Sequence, residues 1–229
     1  TKAALAALAR ALESGHGAKS IILAADISRP GAATDLFHRV EETGLMIDAL
    51  VNNAGFGSRG DLSEQDLSVI DGMIAVNVTA TTDLARLFLP QMIARGRGRI
   101  MNVASTASFQ PGPSMAVYCA TKAYMRSFSL ALSEELKGTG VTVTALCPGP
   151  TVTNFGKIAG VENSAAFAPS LVMGSAEVAK GGYKAMKDGA RIFIPGASNR
   201  MGAILSRFIP DAIMLPMVRR MMAPAEAKA

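Results

Sequence analysis

Short apolar runs that end in polar or glycine residues alternate with helical patterns along most of the chain, and this alternation restricts the fold more than any other feature. Residues 2–13 read as a helix rich in Ala and Leu, ended by the Ser-Gly-His-Gly stretch at 14–17. Residues 21–25 then form an uninterrupted apolar run closed by Asp26. Runs apolar on both faces suit strands of a parallel sheet covered by helices on both sides. The pattern repeats. A helix over 31–43 precedes a strand at 48–52, and a long helix from 64 to about 92 precedes a strand at 99–104. A helix over 115–136 precedes a strand at 141–147, and a helix over 176–186 precedes a strand at 191–194. Strict alternation predicts right-handed βαβ units in one doubly wound parallel sheet of the α/β class, with three α/β/α layers. Ligands of such sheets bind beyond the carboxyl ends of the strands.

Size and composition agree with one domain over 1–229: 229 residues, 49% hydrophobic and 18% charged, suffice for a single buried core and exclude a disordered chain. Two cysteines, Cys119 and Cys147, exclude a disulfide-stapled secreted module and are expected as reduced core thiols. The longest uncharged stretches, 100–121 and 138–156, are broken by Gly, Pro, Ser, Thr and Asn, so no transmembrane span is expected. Nothing at the start argues for export, which makes the cytoplasm the expected location. The net charge of +5 includes a cluster at Arg95, Arg97 and Arg99, but 5% aromatic content without Trp makes nucleic-acid binding a poor fit. No metal site is expected. The segment 199–229 is an apolar, Met-rich helical tail, read as a core, dimer or substrate-cap element, with peripheral contact to a membrane as the sharper reading.

Several motifs fall at successive strand ends. The strand at 48–52 runs into Asn53-Ala54-Gly55, and the strand at 99–104 ends at Ser105. Tyr118 lies thirteen positions beyond that serine and Lys122 four further, while the strand at 141–147 runs into Pro148-Gly149-Pro150-Thr151-Val152-Thr153. With Asp26-Ile27 after an apolar run and Asn77 within the long helix, the chain resembles the short-chain dehydrogenase/reductase family over nearly its whole length. The resemblance implies a Rossmann-like fold and an oxidoreductase that interconverts a carbonyl and a secondary alcohol. It implies catalytic roles for Ser105, Tyr118, Lys122 and Asn77. Asn77 would hold a water that links Lys122 to solvent, and Lys122 would grip the nicotinamide ribose. It assigns Asp26, Ile27, Asn53, Ala54 and Gly55 to the adenosine half of NADP(H) or NAD(H), the former slightly ahead. Tyr118, Lys122, Pro148, Gly149, Thr151 and Thr153 go to the nicotinamide half and pyrophosphate. It also implies a homodimer or homotetramer paired through the helices at 64–92 and 115–136.

Residue chemistry points the same way. Tyr118 and Lys122 are i and i+4 on one helix face. A positive charge about 4 Å from the phenol is worth roughly 4 kcal/mol at an effective dielectric near 20, which predicts a phenol pKa lowered by up to roughly three units. Ser105 is placed to donate to an oxygen that gains charge as hydride arrives. Phe109, Met115, Phe155, Ile158, Phe167 and Met173 lie in segments that flank such a site and point to a hydrophobic substrate, lipid-like, steroid-like or aromatic.

Two patterns are decoys. Ser170, Tyr183 and Lys187 repeat the triad spacing, but Ser170 follows Ala-Pro in a loop, so Tyr183 reads as structural. Gly55 to Gly60 spells G-x-G-x-x-G, yet the next strand ends without the acidic residue that fingerprint needs. The family's own phosphate-binding turn, Thr-Gly-x-x-x-Gly-x-Gly, does not occur. The chain as given starts about where the family's third helix would, so the first β-α-β portion, roughly forty residues, is expected to belong to a longer protein. Two further readings stand beside the enzyme: a non-catalytic binding or scaffold protein on the same fold, and a membrane-associated enzyme.

Overall fold

The computed structural model describes residues 2–223. Four parallel strands, β1 (Ala49–Asn52), β2 (Gly98–Val103), β3 (Val141–Leu146) and β4 (Ile192–Phe193), lie side by side in that order. Asn52 pairs with Asn102, and Val103 with Leu146, so the strand ends that carry the site residues are level. The helices are α1 (Lys2–His16), α2 (Ala32–Glu41), α3 (Leu67–Ile74), α4 (Thr81–Ala94), α5 (Ala116–Glu135), α6 (Phe155–Ala159), α7 (Ser175–Lys187), α8 (Ala197–Leu205) and α9 (Asp211–Met222).

Alternate residues of β2 define the layers. Ile100 packs with Leu84, Phe88 and Met92 of α4 and Leu132 of α5, whereas Met101 and Val103 face Met186 of α7. The chain is thus a three-layer α/β protein. Strand order advances in one direction while α7 lies on the face opposite α4 and α5. The β3–α7–β4 connection therefore has the opposite hand to the two before it, which corrects the expectation of uniformly right-handed units. Residues 147–174, with α6 among them, give the chain enough length to reach the far face.

The expected strand at 21–25 does not form. Residues 17–26 run without helix or strand, and Ile21 and Ile22 are exposed. A strand's backbone groups need a neighbouring ladder, and among the described residues none lies beside this segment. A cleft of about 600 Å³ separates it and α1 from β1. The long helix is also not one element: a π-helical stretch at Ala75–Ala80 lies between α3 and α4. The apolar tail folds as α8 and α9, and residues 224–229 lie outside the described residues. Among the described residues no helix is long and apolar enough to cross a membrane.

A buried polar chain sets the rotation of α5. Asn52 Nδ2 donates to Asn102 Oδ1 at 2.8 Å, Asn102 Nδ2 donates to Ser129 Oγ at 2.9 Å, and the Ser129 hydroxyl donates to the Met125 carbonyl at 2.6 Å. A fully satisfied network of this kind specifies one packing. Ser129, Met125, Lys122 and Tyr118 share a face of α5, so locking Ser129 to β2 turns Lys122 and Tyr118 toward the strand ends.

Candidate active site

Ser105, Tyr118 and Lys122 line one cavity of about 880 Å³ at the carboxyl ends of the strands, together with Asn53, Gly55, Pro148, Gly149, Thr151 and Thr153. Ser105 is held by its own turn: its Oγ accepts from the Ala107 amide at 3.1 Å and its hydroxyl donates to the Pro148 carbonyl at 3.5 Å. The Tyr118 ring is buried and lies 5.2 Å, centroid to centroid, from Phe155. Lys122 is buried as well, and its Nζ donates to the Val103 carbonyl at 2.7 Å.

Electrostatics reverse one expectation. Burial pushes the Tyr118 phenol far above its ordinary value, with the neighbouring Ser105 hydroxyl acting weakly against it. The expected lowering by Lys122 is not realised, because its ammonium is turned to Val103 and sits 5.9 Å from the ring centroid. Burial also pulls Lys122 itself down to about 8. Tyr118 thus holds its proton firmly at neutral pH, while Lys122 titrates just above it.

Asn77 stands behind the cavity wall, fully buried in the π-helical stretch. Its Oδ1 accepts from the Phe56 amide at 3.2 Å, and its Nδ2 donates to the Phe56 carbonyl and to Thr121 Oγ1, both at 3.0 Å. The carboxamide therefore fastens the loop after β1 to α5. Gly55 completes this contact: a Cβ there would lie 2.9 Å from Asn77 Oδ1 and 3.2 Å from Lys122 Nζ. The π-helix is a feature that the sequence reading missed, and such bulges concentrate at functional positions.

The remaining assigned residues divide. Asn53 borders both the cavity and the cleft beside β1, whereas Ile27 and Ala54 line only the cleft. Asp26 lines neither; its Oδ1 accepts from the Ser28 amide and hydroxyl, which lowers its pKa. The nicotinamide-half residues are therefore assembled in one cavity, and the adenosine-half residues are divided between that cavity, the cleft beside β1 and, for Asp26, neither. Of the expected substrate-flanking residues, Met115, Phe155 and Phe167 line the cavity. Phe109, Ile158 and Met173 do not. Tyr183 is an exposed residue of α7, outside the cavity. No group of metal-ligating side chains occurs among the described residues.

A serine, a tyrosine and a lysine converging at the ends of parallel strands, with an asparagine behind them, define a class of α/β protein rather than a substrate. The chain belongs to the short chain dehydrogenase family, whose sequence model matches residues 1–162. It is similar to the uncharacterized oxidoreductase YvrD of Bacillus subtilis, 41% identical over 138 residues, which covers 60% of this chain and 50% of that protein. Among solved structures, a short-chain dehydrogenase from Sphingobium yanoikuyae in complex with NADPH matches at 30% identity and a TM-score of 0.79, covering 98% of this chain and 86% of that one. The bulky-bulky ketone specific alcohol dehydrogenase from Comamonas testosteroni matches at 27% identity and a TM-score of 0.74, covering 98% and 84%. The chain spans about half the length of the curated relatives it matches.

Proposed function

We propose that the protein is a nicotinamide-dependent oxidoreductase that interconverts a carbonyl and a secondary alcohol on a hydrophobic substrate, with Tyr118 as general acid and base. The observation that carries this reading is the convergence of Ser105, Tyr118 and Lys122 on one largely apolar cavity at the strand ends. Residues for the nicotinamide half fit: Lys122, Thr151 and Thr153 border the cavity beside Tyr118, and the bare Gly55 backbone abuts Asn77 and Lys122. NADP(H) or NAD(H), when bound, supplies the hydride.

The chain's own residues supply placement and the proton. As the substrate oxygen gains charge, Ser105 donates a hydrogen bond to it and Tyr118 donates its phenolic proton. The raised pKa of Tyr118 keeps the phenol protonated at neutral pH, the form that reduction requires. The phenolate left behind needs a nearby cation, and Lys122 is charged below about 8. Asn77 keeps Lys122 in register by tying α5 to the loop that carries Gly55.

The test is Tyr118→Phe. Reduction of a ketone with NADPH or NADH should fall about 10²- to 10⁴-fold while cofactor binding, followed by fluorescence titration, survives. Unchanged turnover would end this assignment. A homodimer or homotetramer in the cytoplasm is the expected setting, to be read by sedimentation. A second reading, peripheral contact with a membrane, is favoured by Met201, Phe208 and Ile213 on the exposed side of 197–222 beside Arg200, Arg207 and Arg220. Flotation with anionic vesicles decides it.

A further inference from the structure

The helix α9 returns from the end of the described chain to close the cavity, and it brings methionines with it. Met214 and Val218 are buried, and with Met217, Met221 and Met222 they form the face of α9 that lines the cavity. Met222 also packs against the buried cluster that contains Met115 and Tyr118, as Phe155 does. The loop at 57–61 holds this helix in place. Arg59 Nη1 donates to the Met222 carbonyl at 3.1 Å, and Arg219 of α9 donates to Asp61 at 3.3 Å. Asp61 also accepts from the Ser114 hydroxyl at 3.0 Å, and the Gly60 amide donates to the Ser114 carbonyl at 2.9 Å. The same loop touches the chemistry: a Cβ at Gly57 would lie 2.9 Å from Tyr118 Cδ2.

The charge inventory of the cavity is equally specific. Among the described residues lining it there is no Asp, Glu, Arg or His, and its one charged side chain, Lys122, is committed to Val103. An anionic group brought against the α9 wall would lose its hydration and find no cationic side chain on that wall. Methionine side chains, in contrast, fit irregular apolar shapes.

We propose that α9 is the specificity wall of this site, admitting bulky, neutral, apolar carbonyl compounds and rejecting those that place a carboxylate or phosphate against that wall, with Asp61 and Arg219 as positioning residues that hold the wall closed. This rests on the carbonyl–alcohol reading of the site and adds the substrate class to it.

The test uses a matched pair, methyl 4-acetylbenzoate and 4-acetylbenzoate, with NADPH and with NADH. Wild-type protein should prefer the ester by about 100-fold in kcat/KM. Met221→Lys, which puts a cation on the wall, should narrow that preference at least about tenfold. Arg219→Ala should raise KM for the ester about threefold or more at nearly unchanged kcat, and Arg219→Lys should restore it. Equal use of acid and ester by wild type, or a preference and KM indifferent to all three variants, overturns the proposal. Calorimetric titration of the two compounds onto cofactor-loaded protein reads the same discrimination without turnover. If neither ketone is reduced, the carbonyl–alcohol reading falls, while the titration still decides α9: selective ester binding upholds the wall, and binding of both or neither refutes it.

Discussion

Replacing Lys122 with methionine should make the protein more stable at pH 7 while removing its activity. Lys122 is 4% exposed, and burial pulls its pKa from 10.5 down to about 8. That gap of about 2.5 pH units corresponds to about 3 kcal/mol. The sign follows from which state binds more protons. Between pH 8 and 10.5 the unfolded chain holds the lysine proton and the folded one has released it, so stability rises with pH across this window. The lysine's favourable contribution is complete above 10.5 and lost as pH falls through about 8, leaving the folded protein to carry the whole cost at pH 7. Methionine fills nearly the same volume without charge, but leaves the Val103 carbonyl without its donor, which costs about 1 kcal/mol. The variant should therefore gain about 2 kcal/mol at pH 7, and the gain should shrink as pH rises above 8, vanish near about pH 10 and reverse beyond it. Urea midpoints at constant m, measured for both proteins at pH 7 and pH 10, read the difference directly. Because Tyr118, Cys119 and Cys147 are present in both chains, their own titrations cancel to first order. A variant less stable at pH 7, or a difference indifferent to pH, would show that the fold compensates the buried ammonium and that the reasoning is wrong.

Asn77→Ala should cost about 2 to 3 kcal/mol in the same urea assay, since it strands the amide and carbonyl of Phe56; loss of turnover should accompany it. Burial pushes both Cys119 and Cys147 up to about 11, so neither thiol should react with an aromatic disulfide reagent at pH 8 until urea unfolds the protein. Prompt modification of either in the folded state would contradict this packing. On the proposed mechanism the rate of ketone reduction should fall as pH rises past about 8, where Lys122 loses the charge assigned there to offsetting the phenolate left on Tyr118; a flat profile to pH 10 would remove Lys122 from that role.

The parts of the fold legible in the sequence are those governed by local pattern. The runs at β1, β2 and β3 are short, rich in Val, Ile, Leu and Met and closed by turn residues, and α5 carries Tyr118 and Lys122 one turn apart, so the strands, the helix and the convergence of three site residues could be read directly. Non-local features escaped. Residues 21–25 have a strand's composition, but a strand exists only where another lies beside it. Asn77 meets Phe56 across 21 positions, and Tyr118 owes its high pKa to burial in a cluster to which Phe155 of α6 and Met222 of α9 are brought from distant parts of the chain. The i, i+4 spacing correctly placed Lys122 near Tyr118, yet it could not show that the Val103 carbonyl would claim the ammonium. The tail's apolar face was visible too, but nothing in its pattern told which surface it would cover.

The π-helical stretch at Ala75–Ala80 has a consequence for how this gene product tolerates length changes. A wider turn absorbs one more residue than an α-helix does over the same rise. Deleting a single residue there would return the run to regular α-helix with the turns on either side still nearly in register, whereas the same deletion in a regular turn would swing its neighbours by about 100°. Leu84, Phe88 and Met92 would keep Ile100, but Asn77, which the wide turn presents to the loop after β1, would leave Phe56. A one-residue deletion over these six positions should therefore spare the fold and cost the Asn77 contact.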